Sequence, residues 1–417
     1  MKSNIFLKNL TLVMSSAASA QALGFMFIPL ISRMFSPESI GVQNLFLSLA
    51  AILTPLGALT LPLAIVLVKG KDRVSIVTNA SINISIVISA AVLVLIFLLK
   101  MLNLDFAFIT NLGSWLYLLP FYLLFLTLID ISKKVLIKNN KYVTLSKVNL
   151  INAIVVNSSK VISGFISPTA FSLFVSVHIG VISSAIYSIK LSGVKYKKIG
   201  IKKTRDVMKE FYDFPLFRCP QMLINALSQD MPVILLASMF NVTVVGYYGM
   251  ARLFMTAPIN LLGNSLNSLL YPKFAENADS SVELFRLLLR STVALAVFSF
   301  LPFSIVFFWG GELFSILLGD SWKEAGVIAE WLSIMSYFSL LARPTISLIP
   351  VINFQKQFLK YELFSFIVRV SSIFIAYSIF ESYLGVVATF SIISSFIYIL
   401  LIGIIFHIVS TNKIKNR

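Results

Sequence analysis

Acidic side chains are scarce in this sequence: 17 Asp and Glu stand against 34 Lys and Arg, and charges of both signs occupy only 12% of the 417 positions. Cysteine occurs once, at Cys219, and histidine twice, at His178 and His407. A lone thiol excludes a disulfide framework, and two isolated imidazoles offer no metal cluster. No GxxxxGK[ST] stretch is present, so the chain does not hydrolyse a nucleotide through a P-loop. Its serines are scattered without a nucleophile elbow, and the sequence gives no sign of an enzyme, a catalytic residue or a bound cofactor.

What abounds is hydrocarbon. Apolar residues make up 58% of the chain, 36 of them Phe, and the mean hydropathy is +0.91. That is more apolar surface than a water-soluble core of this length can hide, which implies an all-α integral membrane protein. A net charge of +17 would suggest nucleic acid for a soluble chain. Here the excess lies in short connections between apolar runs, where it sets orientation, so nucleic acid is not an expected partner.

A hydrocarbon core of ~30 Å takes ~20 helical residues. Twelve runs meet this length: 10–34, 41–68, 76–99, 112–132, 143–166, 169–189, 214–240, 244–270, 291–309, 325–350, 358–380 and 384–408. They are continuous, unlike the alternating strands of ~10 residues in a membrane barrel. The first is longer than a secretory signal core and lacks a cleavage site, so it reads as a span. Between the sixth and seventh lies the longest strongly polar stretch, 190–209, with eight Lys and Arg. It reads as a cytoplasmic loop within a linker, 190–213, that joins an N-terminal six-helix lobe (1–189) to a C-terminal one (214–417). With both termini inside, 26 Lys and Arg fall on the cytoplasmic side against three outside, Arg33, Lys100 and Lys323, as retention of positive charge during insertion requires. Trp322 and Trp331, near Glu324 and Glu330, suit an interfacial anchor at the outer end of the tenth span.

Because six is even, both lobes enter from the same side and would be parallel repeats about an axis along the membrane normal. A trace of this survives: Met34, Phe35 and Gly41 recur as Met239, Phe240 and Gly246 at a constant offset of 205.

Five basic residues fall inside spans: Lys160, Arg218, Arg252, Arg343 and Arg369. Each costs about 2.5–3.5 kcal/mol at the centre of a span, so it should face water or protein. At 100° per residue, Lys160 shares a helix face with Asn157, and Arg218 with Asn225 and Gln229. Arg252 lines up with Thr256, Asn260 and Gly263, Arg343 with Ser336, Ser339 and Ser347, and Arg369 with Glu362, Ser365 and Ser372. Arg33 continues a similar stripe at the outer end of the first span. The alternatives are that these stripes are helix-packing seams, and that Lys160 and Arg218 snorkel to an interface. Acidic candidates are few, so the deep balance is basic and an anion is the expected ligand. Asp230 and Glu362 are the candidates for coupling to a proton or sodium ion. Prolines such as Pro55, Pro62, Pro232, Pro258, Pro302 and Pro344 invite kinks.

The stretches PLISRMFSPESIG (29–41) and TPLGALTLPLAIVL (54–67) resemble the opening of bacterial O-antigen and related polysaccharide-repeat flippases of the Wzx type. These belong to the multidrug, oligosaccharidyl-lipid and polysaccharide exporter superfamily. Residues 214–240 and 246–276 are similar to the same family, and the similarity runs along nearly the whole chain. The resemblance implies twelve helices in two six-helix lobes around a central cavity. It also implies transfer of an undecaprenyl-pyrophosphate-linked oligosaccharide across the bacterial inner membrane during O-antigen or lipopolysaccharide biosynthesis. The surrounding membrane lipids and other glycan-assembly membrane proteins would be partners. Arg218 and Arg252 match recurrent basic positions of the family. Two alternatives remain open: a drug or metabolite exporter of the same fold, and a membrane glycan polymerase, against which stands the lack of a large outward loop.

Overall fold

The computed structural model describes residues 19–102, 106–278 and 280–411. The regular elements among them are all helical. The start of the first expected span, and the terminal basic residues Lys2, Lys8, Lys413, Lys415 and Arg417, lie outside the described residues.

Packing divides the chain into two compact units, Met1–Val245 and Gly246–Arg417. The first contains α1 (19–34), α2 (Pro37–Leu53), α3 (Lys71–Met101), α4 (Leu119–Lys138), α5 (Tyr142–Ile166), α6 (Ala170–Ser192), α7 (Ile201–Glu210) and α8 (Cys219–Met239). Helix α9 (Val242–Glu276) starts at the boundary, followed by α10 (Ser281–Leu318), α11 (Lys323–Leu341), α12 (Arg343–Leu348), α13 (Gln355–Phe380) and α14 (Tyr383–Ser410). The division falls later in the chain than 189 or 214 because α8 packs against α2.

Nine helical stretches among the described residues are long and apolar enough to cross a membrane, and each overlaps an expected span. Helices α1, α2 and α9 fall on the other three, so about twelve membrane helices are present. Their outward surface is apolar: Val87 and Phe97 on α3, Phe298 and Leu301 on α10, and Ile375 and Phe380 on α13 are exposed. An exposed apolar surface on this scale is a lipid contact. In the first unit α6 packs against both α4 and α5, and α3 against α4; in the second, α11 packs on α10 and α14, and α13 on α14. The α10–α11 contact is close because Gly310 and Gly326 face each other, and a Cβ on Gly326 would run into the Gly310 carbonyl.

The structure departs from the sequence reading at several points. The second expected span is broken, with α2 ending at Leu53 and the chain turning through Leu59 and Thr60, both left-handed, before a short helix at Ala64–Leu67. Pro55 and Pro62 prevent a continuous backbone ladder there, and the Thr60 hydroxyl donates to the Phe214 carbonyl at 3.0 Å. The basic stretch is more than a loop, since α7 lies inside it and packs on α3. Val207, 2% exposed, joins Val77, Ala80 and Val135 in one apolar cluster, flanked by Met208, Phe211 and Phe214. Arg73 and Glu210 form an ion pair, and the Lys197 amide donates to Asn79 Oδ1 at 2.7 Å. Trp322 is no interfacial anchor: it is fully buried, edge-on to Tyr247. The nearby carboxylates have protein partners, Glu330 accepting from the Gly311 amide at 3.0 Å and Glu324 from the Tyr383 hydroxyl at 2.6 Å.

The repeat trace has a structural counterpart. Met34 and Met239 each close a helix, and the next helices, α2 and α9, begin three residues later. At the same offset Ser36 accepts a hydrogen bond from the Ser39 amide (3.2 Å), and Asn241 one from the Val244 amide (3.0 Å). Both are N-caps that satisfy an orphan donor of the first turn.

Candidate functional site

Two of the three deep basic residues of the second unit, Arg343 on α12 and Arg369 on α13, come together around Tyr398 on α14. Pro344 cannot continue the backbone ladder, so α11 ends at Leu341 and α12 restarts at Arg343. The Arg343 side chain thus leaves from a break in the tenth span. It is half-buried and lies on Gly263 of α9, where an added Cβ would sit 3.2 Å from both Cδ and Nε. With a side chain at 263 the Arg343 guanidinium would have to shift by a few tenths of an ångström.

Arg369 is 8% exposed, on the face of α13 that also buries Ser365 and Ser372. This is the stripe expected from helical spacing, and Glu362 continues it as a half-buried residue. The guanidinium lies over the ring of Tyr398 on α14, 4.8 Å from its centroid. The charges of both Arg369 and Arg343 act on the Tyr398 hydroxyl, and Tyr361 is within electrostatic range of Arg369, Tyr398 and Glu362. The Tyr361 hydroxyl itself donates to the Ile397 carbonyl at 2.8 Å, beside Tyr398 in sequence.

Among the described residues, neither Arg343 nor Arg369 has a carboxylate within ion-pair distance. The Nε of each has no hydrogen-bond partner among the described residues, and neither do the buried hydroxyls of Ser336, Ser391 and Ser394. Buried polar atoms are normally paired. The Nε–H of each guanidinium is therefore left for an acceptor that the described residues do not supply, while Arg369 also has the Tyr398 hydroxyl within hydrogen-bonding reach.

The other expected residues lie elsewhere. Arg252 and Thr256 on α9 are half-buried and Asn260 is exposed. In the first unit Arg218 is exposed at the end of a π-helical turn, Phe214–Arg218, and donates to Gln221 Oε1 at 2.9 Å. Asn225 and Gln229 are exposed along the same face of α8, so this polar stripe is not covered by another helix, whereas Asp230 beside it is buried. Lys160 and Asn157 are half-buried. Their face of α5 is turned to α1: Gly24 lies against Asn157 Nδ2, and Gly164 against Met34 and Phe35. That packing is the seam alternative for this stripe. Arg33 is exposed.

Sequence reasoning missed Tyr398 and Tyr361. A signal was present, because tyrosine favours the ends of membrane helices, and Tyr398 lies well inside the twelfth span.

A family model described as "Polysaccharide biosynthesis protein" matches residues 30–327. The teichuronic acid biosynthesis protein TuaB of Bacillus subtilis (strain 168) is 26% identical over 138 residues, 33% of this chain and 28% of that protein. The match thus spans little more than a quarter of that relative's length. Among solved structures, the lipid II flippase MurJ in an inward closed conformation aligns over 96% of this chain and 90% of its own, with a TM-score of 0.72 and 17% identity. An inward-facing multidrug transporter of the MATE family of the MOP superfamily aligns over 96% and 99%, with a TM-score of 0.73 and 12% identity. At these identities the structural likeness establishes the fold.

Proposed function

Because the chain belongs to the polysaccharide biosynthesis protein family and has the fold of the MurJ flippase and the MATE exporters, we propose that it is a flippase for a lipid-linked oligosaccharide. The proposed substrate is an undecaprenyl-pyrophosphate-linked repeat unit, of O-antigen or a similar glycan. It would cross the bacterial inner membrane from the cytoplasmic to the outer leaflet, in a chain with both termini in the cytoplasm.

The observation that supports this reading is the pair Arg343 and Arg369, held in the membrane interior, each with an unpaired Nε and no carboxylate partner among the described residues. A pyrophosphate is a doubly suited acceptor, since guanidinium donors fit phosphate oxygens in a bidentate fashion. In this mechanism the anionic head and the sugars travel among polar side chains while the polyprenyl tail stays in lipid. Access alternates between the two faces, and the cost of moving charge and hydroxyls through hydrocarbon is avoided. Arg252, Arg218, Lys160 and Arg33, with Asn157, Asn225, Gln229 and Asn260, are the proposed further contacts. Asp230 and Glu362 are proposed to take up a coupling proton or sodium ion.

The test is to delete the gene and locate the lipid-linked oligosaccharide. Accumulation in the cytoplasmic leaflet supports flipping. Normal delivery to the outer leaflet ends the reading; delivery of units that then stay unpolymerised favours a polymerase, and altered drug resistance with normal glycan favours a drug exporter.

A further inference from the structure

At one end of the first unit, the start of α3 and the ends of α4 and α6 surround a cavity of about 370 Å³. We propose that this cavity binds a phosphate group, at a site separate from the arginines of the second unit. Three lysines line it, Lys71, Lys138 and Lys195, and no carboxylate does. Helix α3 presents Lys71, Ser75 and Thr78 to it from one face, as a spacing of four and three residues requires.

Two further observations point to an anion. Helix α3 is 31 residues long and begins after Gly70, whose position offers no side-chain cap; Gly70 and Lys71 both line the cavity, so the N-terminal end of the helix, with Asp72 in its first turn, lies beside it with the positive end of the helix dipole. Thr78 is 4% exposed and lines the cavity, and its hydroxyl has no hydrogen-bond partner among the described residues. The neighbouring Asn79 is by contrast occupied, receiving the Lys197 amide and donating to the Ser75 carbonyl, both at 2.7 Å. The C-terminal ends of α4 and α6 bring carbonyls of opposite sign to the same space. Lys138 is already engaged by the Val66 carbonyl of the short helix Ala64–Leu67, to which it donates at 2.9 Å, whereas Lys71 and Lys195 are exposed and make no ion pair among the described residues.

The phosphate could belong to a free anion or to the headgroup of an anionic lipid, and one experiment separates them. Full-length protein purified in detergent is titrated with inorganic phosphate and, separately, with phosphatidylglycerol, with diacylglycerol as the phosphate-free control. Binding is read by native mass spectrometry and by thermal stabilisation. Loss of two charged contacts in K71A/K195A should weaken binding at least about tenfold. Thr78→Val, close to isosteric, should weaken it by a few-fold, and since the two lysines are exposed the double variant should fold as the wild type does. Binding of inorganic phosphate alone identifies a soluble ligand, and binding of phosphatidylglycerol alone a lipid. Absence of binding by both probes overturns the proposal, as does equal affinity in wild type and K71A/K195A, or equal affinity for diacylglycerol and phosphatidylglycerol.

Discussion

Replacing Arg369 with methionine keeps most of the side-chain length and removes the charge. Arg369 is 8% exposed, its Nε is unpaired, and its guanidinium lies over the ring of Tyr398, 4.8 Å from the centroid, with the Tyr398 hydroxyl in reach. Removing a basic group from the hydrocarbon interior relieves about 2.5–3.5 kcal/mol on insertion scales. Against this, the lost cation–π contact is worth about 0.5–2 kcal/mol. The difference leaves the variant more stable by roughly 0.5–3 kcal/mol, in line with the usual gain when a buried charge gives way to a hydrophobe of similar size. Transport should nevertheless fall sharply, because the anion loses one of its donors. The assay pairs thermal unfolding of the detergent-solubilised protein with restoration of surface glycan in a deletion strain. Stability retained or raised with glycan lost is the expected result. A variant that loses stability and glycan together would show that Arg369 serves packing, and full glycan export would remove it from the site.

Other perturbations follow from the same geometry. Gly263→Ala places a Cβ 3.2 Å from Arg343 Nε and should shift the guanidinium enough to reduce glycan export while the protein still folds, and Gly263→Leu should abolish export; both are read by complementation. Gly326→Val forces α10 and α11 apart at Gly310, and overpacking of this kind costs about 1–3 kcal/mol, visible as a lower unfolding temperature in detergent. Val207→Asp buries a carboxylate in the cluster that holds α7 on α3, so tryptic cleavage at Lys202, Lys203 and Arg205 should accelerate severalfold relative to wild type. Unchanged cleavage would mean that α7 does not depend on that contact.

The positions of the membrane helices were legible because hydrophobic run length translates directly into span length. The Ser365–Arg369–Ser372 stripe was legible for a similar reason: a polar residue on a membrane helix stands out against its neighbours, and period 3.6 fixes which others share its face. The helix 201–210 was hidden by its lysines. Its apolar contribution is carried mainly by Val207, while the flanking Phe211 falls in the linker 190–213 and Phe214 at the start of the next span, 214–240. The break at Arg343 could be suspected from Pro344, but which residues meet the freed guanidinium is a tertiary matter. Gly263 is 80 residues earlier in the chain, and Tyr398 lies in a run whose hydropathy conceals a polar tip. Trp322 was misread because a tryptophan near a helix end fits either an interfacial belt or a buried corner, and only packing decides between them.

The central claim is that basic side chains inside the membrane carry a phosphate-bearing head across it. The most direct measurement is transfer of a purified polyprenyl-pyrophosphate oligosaccharide across the bilayer of reconstituted proteoliposomes, scored by an impermeant sugar-binding probe, for wild type and for Arg343→Gln/Arg369→Gln. The account expects transfer well above protein-free vesicles for wild type and close to that background for the double variant. Wild-type transfer no faster than empty vesicles, or a double variant that transfers as fast as wild type, would contradict it.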